Sequence, residues 1–229
     1  MSDSCFLEKN IGVEFKNKDL LKEALTHRSY LNESPKWPIS HNERLEYLGD
    51  AVLELVVTEY LFETFSDYQE GQLTSLRAAL VNYQMLSQVA KSISLDKYIF
   101  LSKGEAKDTG KARDVILANA IEALFGAIYL DRGYAAIKKV VKKIVLNHLD
   151  EVIEKKLYRD SKSLLQEIIQ DRLKTTPIYK VLKEAGPDHQ KKFTVGVFFG
   201  EKLIAEGDGT SKQEAEACAA EHALKELSE

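Results

Sequence analysis

The chain has 229 residues, enough for one or two domains, and its 44% hydrophobic and 30% charged residues are typical of a folded globular protein rather than a disordered one. Its formal net charge of −4 predicts no general attraction to nucleic acid, so such a partner would have to be recognised from a local pattern. Its two cysteines lie far apart in sequence, which predicts a protein without disulfides. The chain shows no signal-peptide pattern and no run of ~18 apolar residues, so we expect it to be cytoplasmic and without a membrane partner.

The first two-thirds of the chain is predicted to be helical. A short amphipathic helix at 19–25 is followed by a linker rich in helix-breaking residues, which contains Asn32, Pro35, Trp37 and Pro38. Two longer segments, at about 41–65 and 115–130, are so apolar that we predict both to be largely buried helices. The remaining predicted elements are short helices at 72–81 and 83–93, a polar loop at 103–111 and one amphipathic helix at 135–153.

The hydrophobic period changes after about residue 155, which predicts a second domain. Its predicted elements are a helix at 161–173, strands after Pro177, a hairpin turn at Gly200-Glu201 and a last helix that opens with the capping-box pattern Ser211–Glu214. We therefore predict an all-α domain at residues 1–157, followed by a small α+β domain with the element order α-β-β-β-α at residues 158–229.

Acidic side chains are interleaved with apolar ones in the first long helix. Glu43, Glu46 and Asp50 fall within roughly 60° of one another around the helix axis, and Glu46 and Asp50 lie about 6 Å apart along it. Neighbouring carboxylates on a buried helix repel one another and lose hydration, which is costly unless something compensates. A hard divalent cation with oxygen ligands is the natural candidate, and Mg²⁺ keeps waters that can serve as a nucleophile.

The second apolar helix repeats this arrangement with Asn119 and Glu122. If the two helices pack face to face, they would present Glu46, Asp50, Asn119 and Glu122 to one ion. No histidine or cysteine is placed to make this a zinc site.

Purely structural roles are also open to these acids. Glu43 lies three residues after Ser40 and could close a capping box. Glu46 could form an ion pair with Arg44, and Asp50 could form one with Arg77 or Arg113.

Four further polar residues also have structural interpretations. Glu70 could be a first-turn acid favoured by the helix dipole. We expect His27 and His41 to be hydrogen-bonded structural residues, and Cys218 to be a packed side chain rather than a nucleophile.

Several motifs resemble the ribonuclease III family. The stretch HNERLEYLGD at 41–50 is similar to the long and specific signature of that family. Three further blocks also resemble the family and occur in its order along the chain, namely ALTHRSY at 24–30, before the signature, and Glu70-Gly71 and ILANAIEALFGAIYLD at 116–131, after it. The tail resembles a double-stranded-RNA-binding domain in LLQE at 164–167, GPDHQKKF at 186–193 and TSKQEAEACAA at 210–220. Together these resemblances cover nearly the whole chain.

The resemblance implies a helical nuclease domain that forms a homodimer and cleaves double-stranded RNA with Mg²⁺, for which Mn²⁺ is expected to substitute. It implies that Glu46, Asp50 and Glu122 are metal ligands, with Asp50 and Glu122 as catalytic acids, and that Glu43 and Glu70 lie near the RNA. A metal-activated water would attack the phosphodiester in line and leave 5′-phosphate and 3′-hydroxyl ends. Precursors of ribosomal RNA and other RNAs are the substrates that it implies.

Asn119 departs from the family pattern, in which an aspartate is usual at this position. An asparagine carbonyl can still coordinate a cation, but one negative charge is lost, so the affinity for Mg²⁺ should fall. We predict an active nuclease; the alternative is a catalytically impaired double-stranded-RNA-binding protein.

The tail also makes physical sense as a reader of A-form RNA, which presents 2′-hydroxyls in two minor grooves and phosphates between them. The predicted contacts are Ser163, Gln166 and Glu167 to one minor groove, Pro187 and His189 to the next, and Ser211 and Lys212 to the phosphates. Gln213 stands where the family usually has a second lysine, which predicts weaker binding. The alternative is a generic protein-binding domain of the same fold.

Overall fold

Two separate hydrophobic cores organise the chain. The computed structural model describes residues 4–158, 161–187 and 191–227, with side chains from Phe6 onward. The chain divides into one unit up to Tyr158 and a second from Arg159. The first unit is all-helical and the second contains the sheet, so the predicted fold class is confirmed.

Helices of very different length build the first unit. The described α-helices are α1 (Ser4–Ile11), α2 (Lys18–Ala24), α3 (Arg28–Glu33), α4 (Glu43–Thr64), α5 (Glu70–Val81), α6 (Tyr83–Ser92), α7 (Lys111–Arg132), α8 (Tyr134–Ile144) and α9 (Leu149–Glu154). Both α4 and α7 have 22 residues, and they cross at the centre of the core. No described helix combines the length and the apolar character needed to cross a membrane.

Two glycines allow α4 and α7 to approach closely. A Cβ built on Gly49 of α4 would lie 1.7 Å from the backbone oxygen of Glu122, and one built on Gly126 of α7 would lie 2.3 Å from the backbone oxygen of Leu45. Any larger residue at either position would force the helices apart. The two glycines therefore set the depth at which the acidic turns of α4 and α7 meet.

The single helix predicted at 135–153 is wrong, because the chain bends between α8 and α9. A 3-10 turn at Leu146–His148 separates them. Ile144, Val145 and Leu146 are consecutive and all buried. The bend keeps the following residues on the core, because Leu149 and Val152 of α9 are buried as well.

The N-terminal region and α4 also differ from the prediction. Helix α1 was not predicted, and Asn32, assigned to a linker, lies within α3. Helix α4 is not buried on all sides, since Tyr47, Leu55 and Phe62 are 84%, 57% and 73% exposed. Apolar composition alone cannot distinguish a side chain that faces the core from one that faces a partner.

The second unit has the predicted order α-β-β-β-α. Its elements are α10 (Ser161–Leu173), β1 (Ile178–Ala185), β2 (Lys192–Phe199), β3 (Lys202–Gly209) and α11 (Lys212–Glu226). The strands form an antiparallel sheet in sequence order, and Gly200, with φ +64°, makes the predicted turn between β2 and β3. Helix α11 packs so closely on β3 that a Cβ on Gly207 would lie 2.1 Å from the backbone nitrogen of Ala219, which explains its many alanines.

Candidate active site

The crossing of α4 and α7 brings four oxygen-bearing side chains together. Asn119 hydrogen-bonds to the carboxylate of Glu46, and Glu122 lies within electrostatic reach of both Glu46 and Asp50. These contacts follow from the fit of Gly49 against Glu122, since Glu46 and Asp50 flank Gly49 on α4. The structure thus gathers the four residues that the sequence predicted to meet.

Burial and mutual repulsion make this cluster unfavourable for negative charge. Burial, with added repulsion from Asp50 and Glu46, raises the pKa of Glu122 to about 8. Burial also raises the pKa of Glu46, helped by repulsion from Glu43 and Asp50 and opposed by the hydrogen bond from Asn119. A carboxylate held in this state gains from any positive charge that enters the cluster.

The chemistry of the donors fits a hard divalent cation. All four side chains offer oxygen, the ligand atom that Mg²⁺ and Mn²⁺ prefer. In the part of the chain that the structure describes, no three His, Cys, Asp or Glu side chains are grouped tightly enough to form a metal site as they stand. The site therefore consists of neighbouring carboxylates and one amide, which would have to draw together around an ion.

Ion pairs of Glu46 with Arg44, or of Asp50 with Arg77 or Arg113, do not form within the described residues. Arg77 instead donates to the hydroxyl of Thr58 at 3.0 Å, and Arg113 to the backbone oxygen of Asp96 at 3.2 Å. Structural pairing thus does not explain why these acids lie at the crossing.

Glu43 begins α4 and is held by a cation. Its Oε1 lies 3.3 Å from Nη1 of Arg28, and its Oε2 lies 3.7 Å from Nδ1 of His41. The prediction of a capping box between Ser40 and Glu43 is wrong. It requires Ser40 to be the N-cap, but α4 starts at Glu43 and its N-cap is Asn42. Glu43 thus extends the row of acids toward the start of α4.

Glu70 lies apart from the four-residue cluster. It begins α5 and borders a groove of about 440 Å³ with Thr58 and Phe62. Thr58 is eight residues, or about 12 Å, beyond Asp50 along α4. Within one chain, the structure does not bring Glu70 together with the acids at the crossing.

His27 and Cys218 have the surroundings of structural groups, but His41 lacks the hydrogen bond that such a role predicts. His27 is the N-cap of α3, and its Nδ1 accepts the N–H of Ser29 at 3.3 Å, while burial lowers its pKa. The expected hydrogen bond of His41 is not found at its Nδ1, which is buried and lies too far from Glu43. Cys218 is half-buried on α11, with its Sγ 3.8 Å from Nε2 of His222.

The predicted RNA contacts of α10 share one face of that helix. Ser163, Gln166 and Glu167 are spaced by three and four residues, and all three are exposed, whereas Leu165 and Ile169 are buried in the core that α10 shares with α11 and the sheet. Helix α10 thus presents its polar face to the outside of the unit.

The start of α11 is a second polar surface. Ser211 caps the helix by accepting the N–H of Glu214 at 3.1 Å, and Glu214 accepts from the N–H of Thr210 rather than that of Ser211. Lys212 is exposed and lies 3.3 Å from Oε1 of Glu184. Pro187 is exposed after β1, and His189 lies outside the described residues.

Gly49 and Gly126 are the residues that sequence reasoning missed. Both lie inside apolar helices, where glycine costs about 1 kcal/mol relative to alanine and needs a reason. Their position beside the acidic residues on each helix was the available signal for a close crossing.

Comparison with known protein families matches both units. The model described as Ribonuclease-III-like matches residues 17–149, and the model described as Double-stranded RNA binding motif matches residues 161–227. The matched ranges fall one in each unit of the structure.

Similar proteins align along nearly the whole chain. Ribonuclease 3 of Borreliella burgdorferi is 45% identical, covering 98% of this chain and 91% of its own length. Ribonuclease 3 of Carboxydothermus hydrogenoformans is 47% identical, covering 96% and 94%. Among solved structures, the nuclease domain of ribonuclease III from Campylobacter jejuni matches with a TM-score of 0.58 and 42% identity, covering 65% of this chain and 97% of that domain.

Proposed function

The chain belongs to the ribonuclease III family of endoribonucleases, and from that premise we propose that it hydrolyses double-stranded RNA at the crossing of α4 and α7 in a Mg²⁺-dependent reaction. The observation that carries the proposal is the set of neighbouring oxygen donors around Gly49, in which burial, with added repulsion from Asp50 and Glu46, raises the pKa of Glu122 to about 8. Such a cluster favours the binding of a divalent cation. Among the described residues, no ion pair to Glu46, Asp50 or Glu122 offers a structural reason for the position of these acids.

Each residue of the cluster has a distinct part in this proposal. Glu46, Asp50 and Glu122 would hold the ion through carboxylate oxygens, and Asn119 through its side-chain carbonyl. A bound Mg²⁺, or Mn²⁺ in its place, would supply Lewis-acid stabilisation of the phosphate charge and lower the pKa of a water ligand. Asp50 and Glu122 are the proposed catalytic acids, because Asp50 is exposed, where an RNA strand could reach it, while Glu122 is half-buried on α7 and would hold the ion from the other side.

The C-terminal unit would hold the duplex. The exposed face of α10 with Ser163, Gln166 and Glu167 suits 2′-hydroxyls, and the start of α11 with Ser211 and Lys212 suits phosphates. Pro187 and His189 are proposed to reach the next minor groove. The family-model match supports this assignment over a generic protein-binding domain of the same fold.

We also propose a homodimer formed through the exposed face of α4. Tyr47, Leu55 and Phe62 lie within about 80° of one another around the helix and extend over about 22 Å of its length. An apolar surface of this kind is typical of a protein interface. A second solved structure of the Campylobacter jejuni nuclease domain is 43% identical to this chain, with a TM-score of 0.56. That domain has structural flexibility in a region involved in dimer formation.

A twofold pairing of α4 would also explain the position of Glu70. Such an interface uses the same patch on both copies. If the two α4 helices run antiparallel, the Phe62 end of one lies beside the Tyr47 end of the other. Glu70 borders the groove at Phe62, so it would approach the acidic cluster of the second copy.

The proposed products carry 5′-phosphate and 3′-hydroxyl ends, and the proposed substrates are precursors of ribosomal and other RNAs in the cytoplasm. Incubating a long perfect duplex and its separated strands with the protein, with Mg²⁺ or with a chelator, tests the reaction directly. We expect cleavage of the duplex only, and only with the metal, with ends that a 5′-phosphate-dependent exonuclease accepts. Equal cleavage of the separated strands, or cleavage in the chelator, would contradict the proposal.

A further inference from the structure

A second concave site lies away from the acidic cluster. A half-open cavity of about 440 Å³ is lined by residues 11–14, at and after the end of α1, and by residues of α8. Arg132, at the end of α7, also lines it. Arg132 is ten residues, or about 15 Å along α7, from Glu122, so this cavity is separate from the candidate active site.

The cavity gathers positive charge. Arg132, Lys139 and Lys143 all line it, and Glu14 is the acidic side chain among the lining residues. Lys143 donates to the backbone oxygen of Asn10 at 2.9 Å, which holds its ammonium group at the wall. Three cationic groups against one carboxylate leave an excess of positive charge that suits a doubly charged phosphate.

Arg132 and Lys139 have no structural use in the described part of the chain. Helix α8 carries four lysines, of which Lys138 pairs with Glu59 at 3.0 Å and Lys142 lies over the ring of Tyr60. By contrast, neither Arg132 nor Lys139 forms an ion pair with any described residue, although Glu14 lines the same cavity. Their charges are thus available to a ligand.

The start of α8 adds to this potential. Gly133, with φ +78°, turns the chain from α7 into α8 and offers no capping side chain. The first N–H groups of a helix have no acceptor in an earlier turn, and Ala135 in this first turn lines the cavity. The remaining accessible lining is apolar at Val13, Ala135 and Ala136, whereas Ile11 and Val140 are buried beneath it.

We propose that this cavity binds a small phosphorylated ligand of about mononucleotide size. Arg132 and Lys139 would bind the phosphate beside the first turn of α8, and the apolar wall would pack against the ring system. The volume lies within the ~300–1,000 Å³ that is usual for small-ligand sites. The site does not depend on the proposed nuclease activity, so each can fail without the other.

Isothermal titration of the full-length protein with AMP, in a chelating buffer that keeps the acidic cluster without a bridging cation, tests the proposal. We expect saturable binding of AMP, and binding at least about tenfold weaker for adenosine, which lacks the phosphate. Inorganic phosphate should also bind more weakly than AMP, because it leaves the apolar wall uncovered. Lys139→Gln and Arg132→Gln should each weaken AMP binding about tenfold.

The matched control is Lys142→Gln, which removes the same charge from the same helix outside the cavity and should leave AMP binding unchanged. Absence of AMP binding, or equal losses in Lys142→Gln and Lys139→Gln, would overturn the proposal. Binding of phosphate as tight as that of AMP would overturn the ligand class. Displacement of AMP by duplex RNA would instead assign the cavity to the RNA path and equally refute it.

Discussion

Gly49 lies against the backbone carbonyl of Glu122 so closely that a Cβ on Gly49 would sit 1.7 Å from that oxygen. Together with the contact of Gly126 with Leu45, this contact sets the depth of the crossing between α4 and α7, and with it the spacing of the acids on both helices. The fold and the candidate chemistry therefore depend on the same residue.

Gly49→Ala is expected to push the two helices apart. Overpacking of a core typically costs about 1–3 kcal/mol of the free energy of unfolding, and the shifted acids should also lower the rate of RNA cleavage. Chemical denaturation and a cleavage assay on the same preparation measure both effects. Gly71→Ala is the control, because nothing lies within 4 Å of its added Cβ; it should retain activity. Normal stability and activity in Gly49→Ala would show that the crossing does not need this contact.

Glu122→Gln is expected to abolish cleavage and, in chelating buffer, to stabilise the protein at high pH. The pKa of Glu122 is raised in the folded state to about 8 from 4.5, so between these values the folded state binds more protons than the unfolded state. Stability of the metal-free protein should therefore fall as pH rises from about 4.5 to about 8, and the glutamine variant should lack this loss.

Melting temperatures at pH 5 and pH 9 measure this difference. The melting temperature of Glu122→Gln should exceed that of the unsubstituted protein at pH 9 by more than it does at pH 5. Adding Mg²⁺ to the unsubstituted protein should reduce this difference. Asp67→Asn removes an exposed acid beyond the end of α4 and serves as the control. It should leave the melting temperature unchanged at both pH 5 and pH 9. A variant that is no more stable than the parent at pH 9 would argue against a strained carboxylate at this site.

Lys212→Gln is expected to weaken duplex binding and to reduce the slope of log affinity against log salt by about 1, as the loss of one phosphate contact should. Fluorescence anisotropy over a series of salt concentrations provides the measurement. Lys225→Gln removes a lysine from the other end of α11, where it pairs with Glu221 at 2.8 Å. If both variants changed the slope equally, the start of α11 would have no special part in binding.

Phe62→Glu is expected to convert the proposed homodimer into a monomer, because it places a charge in the apolar face of α4. Sedimentation equilibrium gives the mass. Leu182→Glu introduces the same charge at an exposed apolar residue of β1 and should leave the dimer intact. A Phe62→Glu protein with an unchanged mass would place the interface elsewhere.

Periodicity and charge were enough to predict the main helices and the residues that meet at their crossing. Acids at spacings of three and four on apolar helices share a face whatever the neighbouring structure is, so Glu46, Asp50, Asn119 and Glu122 could be assigned to one site. The order α-β-β-β-α was equally clear, because the period changes from that of a helix to that of a strand.

The features that were missed depend on tertiary contacts. The bend after Ile144 falls among apolar residues whose spacing continues that of α8, so periodicity alone does not mark it. The exposed face of α4 has the composition of a buried one, so the sequence carries no sign that it is uncovered within one chain. Glu70 belongs to one of the motifs that resemble the family, but in the fold it lies beside Phe62 and not at the acidic cluster.

Asn119 offers the most direct test of the central claim, that the four residues at the crossing form one Mg²⁺-dependent centre for cleavage of double-stranded RNA. Cleavage of a long perfect duplex should be measured across a Mg²⁺ titration for this chain and for Asn119→Asp. We predict that both cleave, and that the aspartate variant reaches half-maximal rate at a lower Mg²⁺ concentration because it restores a charged ligand. Equal Mg²⁺ requirements would show that Asn119 is not a ligand of this centre. No cleavage by the unsubstituted chain at any Mg²⁺ concentration would contradict the account. That result would favour a protein that binds double-stranded RNA without cutting it.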